Sequence, residues 1–167
     1  MSGVTLKGRG AEGMAKSPSS QIPVIDLFAG PGGLGEGFSR YTLDHAKRFK
    51  IGLSIEKDPS AHKTLTLRAF FRQFEEGQTP KEYYEYLRGG ITIQDLYKKF
   101  PVQAKNSSAE ARLLTLGQED PSNLIRKELC GSEHWVLIGG PPCQAYSLVG
   151  RSKILGGIKR DHGESEE

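Results

Sequence analysis

One cysteine lies in a sequence context that suits a nucleophile. Residues 139–144 read Gly-Gly-Pro-Pro-Cys-Gln, so Cys143 directly follows two prolines that stiffen the chain. The apolar run 135–138 precedes the glycines and is typical of a buried strand. Open α/β sheets bind ligands at the carboxyl ends of their strands, where this loop would lie. A cysteine thiolate is a strong nucleophile, although most free cysteines are merely small buried residues.

A glycine-rich turn and an acidic residue form a second candidate site. Gly30, Gly32 and Gly35 follow the apolar run 22–28 with the spacing Gly-x-Gly-x-x-Gly. Such glycines permit a tight turn and let a ligand approach the backbone. Glu56 ends the next predicted strand, where its carboxylate can accept hydrogen bonds from ribose hydroxyls. The pattern fits both a nicotinamide cofactor and S-adenosylmethionine, and the proline-flanked thiol favours the second because hydride transfer does not need it.

Alternating strands and helices are predicted to position these residues. The helix-start pairs Asp58-Pro59, Thr79-Pro80 and Asp120-Pro121 place an N-cap before a proline at the first helical position. This alternation predicts an α/β fold with a mostly parallel sheet and flanking helices. The predicted strands are 22–28, 51–55 and 135–138, with a weaker candidate at 111–116.

Other segments carry weaker signals. Leu34, Phe38 and Tyr41 recur at helical spacing after the glycine turn, which predicts that they form the core face of the first helix. The polar stretch 103–110 reads as a loop or an insertion. Residues 1–21 have no periodic apolar pattern, so we expect a flexible leader followed by a single domain over 22–167.

Composition excludes several classes of protein. The 167 residues suffice for one domain with a core, and a net charge of +3 does not by itself indicate nucleic-acid binding. No apolar run is long enough to span a membrane, and no secretory signal is apparent. Cys130 and Cys143 lack metal-type spacing, so no metal site is predicted. Free thiols suit a reducing compartment, and we expect a cytoplasmic protein.

Three segments together closely resemble the DNA cytosine-5 methyltransferase family. They are 26–33, reading Asp-Leu-Phe-Ala-Gly-Pro-Gly-Gly, then Glu56, then 141–144, reading Pro-Pro-Cys-Gln, in the order that the family has them. The resemblance runs from about residue 22 to residue 160. It implies a Rossmann-like S-adenosylmethionine-dependent methyltransferase fold, S-adenosylmethionine as cofactor, and Cys143 as the nucleophile that adds to a cytosine flipped out of double-stranded DNA.

The resemblance also implies roles for individual residues. Phe28 and Lys57 would contact the adenine, Glu56 the ribose, and Pro142 the cofactor from the nucleophile loop. Gln118 is the counterpart of the family's adenine-reading aspartate, with Asp95 as an alternative. The segment 144–160 would face DNA, or would be an ordinary solvated loop. The remaining implied contacts are Gly30, Gly32, Gly33 and Leu34 with the amino-acid part of the cofactor, and Gln144, Ser147, Arg151 and Lys153 with DNA.

The later motifs of the family have no counterpart in the 167 residues. These are a Glu-Asn-Val motif, a Gln-x-Arg-x-Arg motif, a target-recognition region and a closing helix. The resemblance therefore implies the N-terminal part of a restriction–modification methyltransferase, either as a fragment, a remnant or one piece of a split enzyme whose second chain carries the C-terminal half. Alternatives are a tRNA cytosine-5 methyltransferase, a non-catalytic cofactor-binding partner subunit and, more distantly, a nicotinamide dehydrogenase.

Overall fold

The computed structural model describes residues 21–141. These residues form an α/β fold with a four-stranded sheet, a small two-stranded hairpin and flanking helices. In chain order the elements are β1 (Ile22–Leu27), α1 (Gly33–Arg40), β2 (Thr42–Leu43), β3 (Ala46–Lys47), β4 (Phe49–Glu56), α2 (Pro59–Phe71), α3 (Lys81–Leu87), α4 (Ile93–Lys99), α5 (Pro101–Glu110), β5 (Ala111–Leu113), α6 (Ser122–Leu129) and β6 (Val136–Gly139).

The main sheet is parallel throughout and has the strand order β5-β4-β1-β6. All four strands therefore end at the same edge, with Leu27 opposite both Ile55 and Gly139. Within the described part of the chain, β6 pairs with β1 on one side and with no strand on the other. The prediction of an α/β fold with a mostly parallel sheet is confirmed, and the arrangement is consistent with part of the predicted Rossmann-like methyltransferase fold.

Helices cover the central strands on both faces. On one face, α6 packs against a buried cluster of Ile25, Leu53 and Ile55. On the other, α2 contributes Leu65 and Ala69, which pack with Ala111 of β5. Burial of such side chains removes apolar surface from water and is the main force that holds the layers together.

The start of α2 follows the predicted chemistry. Asp58 is the N-cap residue, and its carboxylate accepts a hydrogen bond of 2.7 Å from the Ala61 amide. Pro59 occupies the first turn, where its missing N–H costs nothing. The helices after the other two proline pairs begin later than predicted, because Pro80 and Pro121 themselves occupy the N-cap position.

The loop predicted at 103–110 is wrong, because this stretch belongs to the helix α5. Pro101 starts the helix, and the polar residues that follow include good helix formers such as alanine, glutamine and lysine. Ser107 and Glu110 are buried, and Glu110 forms an ion pair with Arg72 at the end of α2. Polarity suggested a loop, but this helix contacts the end of α2 through polar groups, including the Glu110–Arg72 ion pair and a hydrogen bond from Asn106 to Gln73.

The predicted core face of α1 is also wrong. Gly35 and Ser39 are the buried residues of this helix, whereas Leu34 and Tyr41 are 50% and 51% exposed. A Cβ atom at position 35 would lie 3.3 Å from the Asp26 carboxylate, so the absence of a side chain lets α1 approach β1 closely. The helix packs on its small residues and turns its large apolar side chains outward.

Most of the predicted flexible leader, residues 1–20, lies outside the described residues. Over the range 21–141, no helix combines the length and hydropathy that crossing a bilayer requires.

Candidate functional site

The glycine turn after β1 is tight and close to the sheet. The Ala29 amide donates to the Ile55 carbonyl at 2.9 Å, and the Gly32 amide donates to the Ala29 carbonyl at 3.0 Å. Gly30 and Gly32 have φ values of 57° and 88°, which glycine adopts without strain. Phe28 also has a positive φ of 57°, a conformation that costs a non-glycine residue about 1–3 kcal/mol and that concentrates at functional sites.

Glu56, the last residue of β4, is held in place by backbone amides. One carboxylate oxygen accepts a hydrogen bond of 2.7 Å from the Gly30 amide. The other accepts from the amides of Lys57 at 2.9 Å and Asp58 at 2.8 Å. The side chain therefore ties the glycine turn to the start of α2, and its orientation is fixed before any ligand arrives. A carboxylate has about four acceptor sites, so at least one stays available to a ligand hydroxyl.

A cleft of about 260 Å³ lies beside Glu56, where all four strands of the sheet end. Its apolar part comes from Phe28, Ile55, Leu114 and Leu116. This combination of apolar walls and a few polar groups is typical of sites for small molecules and cofactors. The residues that line the cleft are Phe28, Gly30, Ile55, Glu56, Lys57, Leu114, Thr115, Leu116 and Gly140.

A buried carboxylate lies in β1 beneath the glycine turn. Asp26 is completely buried, and neither carboxylate oxygen has a hydrogen-bond partner among the described residues. Burial raises the pKa of Asp26 from 3.8 to about 6, and the nearby Gly35 amide and Arg72 guanidinium offset only part of that effect. The charge of Glu56 raises this pKa further.

Three curated proteins are similar to this chain. The type II methyltransferase M.Bpa9945I of Bacillus paralicheniformis is 33% identical over 158 residues, which is 83% of this chain and 34% of that protein. The putative type II methyltransferase M.OihORF3336P of Oceanobacillus iheyensis is 27% identical, over 90% of this chain and 25% of that protein. The type II methyltransferase M.AquIA of a Picosynechococcus species is 28% identical, over 77% of this chain and 35% of that protein.

The homologues of this chain are type II methyltransferases by name. The chain spans about a third or less of the length of these curated relatives. No protein-family model matches it, and no solved structure is significantly similar to it.

The structure brings several of the predicted cofactor residues together. Phe28, Gly30, Glu56 and Lys57 all line the cleft, although they come from two separate segments of the chain. Gly140 joins them from the loop after β6, immediately before the two prolines that precede Cys143. The cleft therefore connects the two motifs that were recognised separately in the sequence.

Other predicted cofactor residues lie elsewhere. A Cβ atom at Gly32 would approach Leu65 of α2 to 2.8 Å, so this glycine serves the packing of α2 against the turn. Gly33 and Leu34 line a neighbouring apolar groove of about 310 Å³ on the outer side of α1. Gln118 is exposed in the turn after β5 and does not line the cleft. Asp95, the alternative adenine contact, does not line the cleft and forms the capping box of α4 with Thr92, so it has a structural role at the start of that helix.

The remaining predicted site residues lie outside the described residues. They are Pro142, Cys143, Gln144, Ser147, Arg151 and Lys153. Cys130, the other cysteine, is exposed at the C-cap of α6 with a φ of 45°. Over residues 21–141, no group of three or more acidic, histidine or cysteine side chains is arranged to hold a metal ion.

Sequence reasoning missed one wall of the cleft and the buried acid below it. Leu114, Thr115 and Leu116 form that wall directly after β5, and the weak apolar run at 111–116 was their only signal. Asp26 was noticed as part of a motif but received no role of its own. Asp26 lies opposite Ser54, whose buried hydroxyl also has no hydrogen-bond partner among the described residues. This pairing could be recognised only once the register of β1 and β4 was known.

Proposed function

We propose that the chain is the N-terminal part of a DNA cytosine-5 methyltransferase and carries its cofactor site and its nucleophile. The observation that carries this proposal is the cleft, which joins the glycine turn, Glu56 and Gly140 at one edge of the sheet. Similarity to proteins named type II methyltransferases supports methyl transfer to DNA. The choice of cytosine C5 depends on the Pro-Pro-Cys sequence at 141–143.

The residues around the cleft fit S-adenosylmethionine. The fixed carboxylate of Glu56 can accept hydrogen bonds from the ribose hydroxyls, and Phe28 and Leu116 provide apolar surface for the adenine. Lys57 lies at the same wall and can contact the base or the ribose. When bound, this cofactor supplies an electrophilic methyl group.

Cys143 would activate the cytosine ring, whose C5 is by itself a poor nucleophile toward a methyl donor. Its thiolate would add to C6 of the base, which makes C5 electron-rich enough to accept a methyl group. Loss of the C5 proton and departure of the thiolate would then restore the aromatic ring. Gly140 lies at the cleft, and the three-residue stretch from it to Cys143 spans at most about 11 Å when fully extended. The covalent chain therefore keeps the nucleophile within reach of the proposed methyl donor.

The substrate of this proposal is double-stranded DNA with its target cytosine flipped out of the helix. The segment 144–160 contains four basic residues and no acidic residue before Asp161, which suits contacts with phosphates. Gln144, Ser147, Arg151 and Lys153 are the residues that we propose for these contacts. A cytoplasmic location is part of the same proposal.

The rest of the methyltransferase would pack against two exposed surfaces. One is the edge of β6 that has no partner strand among residues 21–141, where Trp135 and Leu137 are 42% and 55% exposed. The other is the groove on α1, lined by Leu34, Phe38, Tyr41 and Phe49 with almost no polar surface. Unpaired strand edges and contiguous apolar patches are typical of surfaces that another part of a protein covers. We propose that the domain begun at residue 22 is completed there, either by a continuing chain or by a second chain.

Ligand binding tests the cofactor assignment. Calorimetry on the 167-residue chain should detect S-adenosylmethionine or its demethylated product but not NAD. Glu56→Gln should weaken that binding about tenfold or more, because it removes a charged acceptor for the ribose hydroxyls. Glu133→Gln, which changes an exposed residue outside the cleft, should bind like the parent chain. Binding of NAD without binding of either methionine derivative would refute the assignment.

A covalent trap tests the target base. Fluorine at C5 cannot leave as a proton does, so a duplex containing 5-fluorocytosine should capture Cys143 once methyl transfer has occurred. The protein for this assay is the chain co-expressed with the C-terminal part of one of the longer relatives. A labelled adduct at Cys143 with duplex DNA would support the proposal. An adduct with tRNA but not with DNA would replace it with the tRNA alternative.

A further inference from the structure

The wall of the cleft after β5 contains a single side chain that can form hydrogen bonds. Leu114 and Leu116 are apolar, and Thr115 lies between them. The other polar side chains at the cleft are Glu56 and Lys57, both at the end of β4. Glu56 is already bound by three backbone amides, and an ammonium such as that of Lys57 can donate hydrogen bonds but cannot accept them.

The backbone around Thr115 is occupied by its own turn. The Thr115 amide donates to the Glu119 carboxylate at 3.2 Å, and the Thr115 carbonyl accepts from the amides of Gln118 and Glu119 at 3.1 Å. Gly117, with a φ of 92°, closes this turn and carries Gln118 into solvent. No hydrogen bond joins the Thr115 hydroxyl to another of the described residues. The hydroxyl is therefore the side-chain group on this wall that is left for a ligand.

A purine base that enters an apolar cleft loses water from its polar edge. Such a loss is costly unless the edge finds a hydrogen-bond partner in the protein. A carboxylate at this position would accept from the amino group of adenine and would reject a base with an oxygen there. A hydroxyl rotates and can either donate or accept, so it suits both kinds of base.

We propose that Thr115, and not Gln118, contacts the polar edge of the cofactor's base, and that the site therefore accepts 6-amino and 6-oxo purines with similar affinity. The inference depends on the proposed function, because it assumes that an S-adenosyl compound occupies this cleft. The tolerance of both 6-amino and 6-oxo purines distinguishes this site from one in which a carboxylate contacts the base, because a carboxylate would reject the 6-oxo purine.

Calorimetry with S-adenosylhomocysteine and S-inosylhomocysteine on the 167-residue chain tests this inference. The two dissociation constants of the parent chain should agree within about tenfold. Thr115→Val, which replaces the hydroxyl by a methyl group, should weaken both ligands about threefold to tenfold. Thr115→Ser keeps a hydroxyl and should restore the parent affinities. Gln118→Ala should leave both unchanged, and circular dichroism should show the same fold for every variant.

Four results would overturn the inference, and the last of them would also overturn the cofactor assignment on which it depends. A preference for the adenosyl compound above about tenfold would indicate an acceptor-only reader such as a carboxylate. Unchanged affinities in Thr115→Val, or a loss in Gln118→Ala, would assign the base contact to another residue. If neither compound binds the parent chain, then the cofactor assignment itself fails, and the base contact fails with it.

Discussion

Replacing the buried carboxylate of Asp26 by an amide should remove a loss of stability that the parent chain suffers as the pH rises from about 4 to neutral. Asp26 is completely buried and has no hydrogen-bond partner among the described residues, so its charged form is unfavourable in the native state. Its native pKa of about 6 exceeds the ordinary value of 3.8. At 1.36 kcal/mol per pKa unit, this difference corresponds to about 3 kcal/mol of lost stability once the residue is ionised in both states.

The pH dependence gives the sign of the effect. Between pH 3.8 and about 6, the native state keeps a proton that the unfolded chain has already lost, so the free energy of unfolding falls as the pH rises. Below that window both states are protonated, and above it both are ionised, so the contribution is constant. Asp26→Asn removes the titration. The buried amide of asparagine has its own desolvation cost, but that cost does not change with pH.

The measurement is urea unfolding of the parent chain and of Asp26→Asn at several values between pH 4 and pH 8. The free energy of unfolding of the variant, relative to the parent, should rise by up to about 3 kcal/mol across this range. Asp44→Asn is the matched control, because Asp44 is exposed in the β2–β3 turn and its replacement makes the same change of charge. The reasoning is refuted if the difference between Asp26→Asn and the parent is the same at pH 4.5 and at pH 7.5.

Three further predictions follow from the site and its setting. In a full-length context, Cys143→Ser should abolish methyl transfer and leave cofactor binding nearly unchanged in calorimetry. If Cys143→Ser retains turnover and Cys130→Ser loses it, then Cys143 is not the nucleophile. Gly32→Ala should lower the free energy of unfolding by about 1 kcal/mol or more, because its φ is 88° and a Cβ would meet Leu65 at 2.8 Å. Gly33→Ala, where a Cβ meets nothing within 4 Å, should be tolerated, and equal losses would contradict this. The 167-residue chain alone should show no methylation of cytosine-containing duplexes, and sequence-specific methylation by it would refute the proposal that activity needs the later motifs of the family.

The parts of the fold that depend on local signals could be predicted from the sequence. Asp58 and Pro59 start α2 as their types require, and the glycine spacing correctly placed the turn after β1. Glu56 was selected because it ends a strand, and it does lie at the cleft. Such features depend on a few neighbouring residues, and the energies of caps and turns are largely set within those residues.

The features that the sequence could not predict depend on contacts between distant segments. The wall formed by Leu114, Thr115 and Leu116 becomes part of the cleft only because β5 pairs with β4 and ends beside Glu56. The resemblance implied a base contact for Gln118, but this residue is exposed in the turn at Gly117 and does not line the cleft. A turn's direction depends on backbone conformation, which residue types constrain only in part.

The outward apolar stripe of α1 shows a different limit of sequence reasoning. The spacing of Leu34, Phe38 and Tyr41 correctly identified one apolar face of a helix, yet the sheet contacts the opposite face through Gly35 and Ser39. The spacing of apolar residues identifies the apolar face of a helix, but it does not say which part of the protein packs against that face. Here the small residues allow close packing on β1, and the large ones form a groove with Phe49. The curated relatives are more than twice as long as this chain, so they contain enough further sequence to cover such a groove. The outward apolar face of α1 therefore supports the same proposal as the edge of β6 that has no partner strand among residues 21–141, namely that the rest of a larger methyltransferase covers both surfaces.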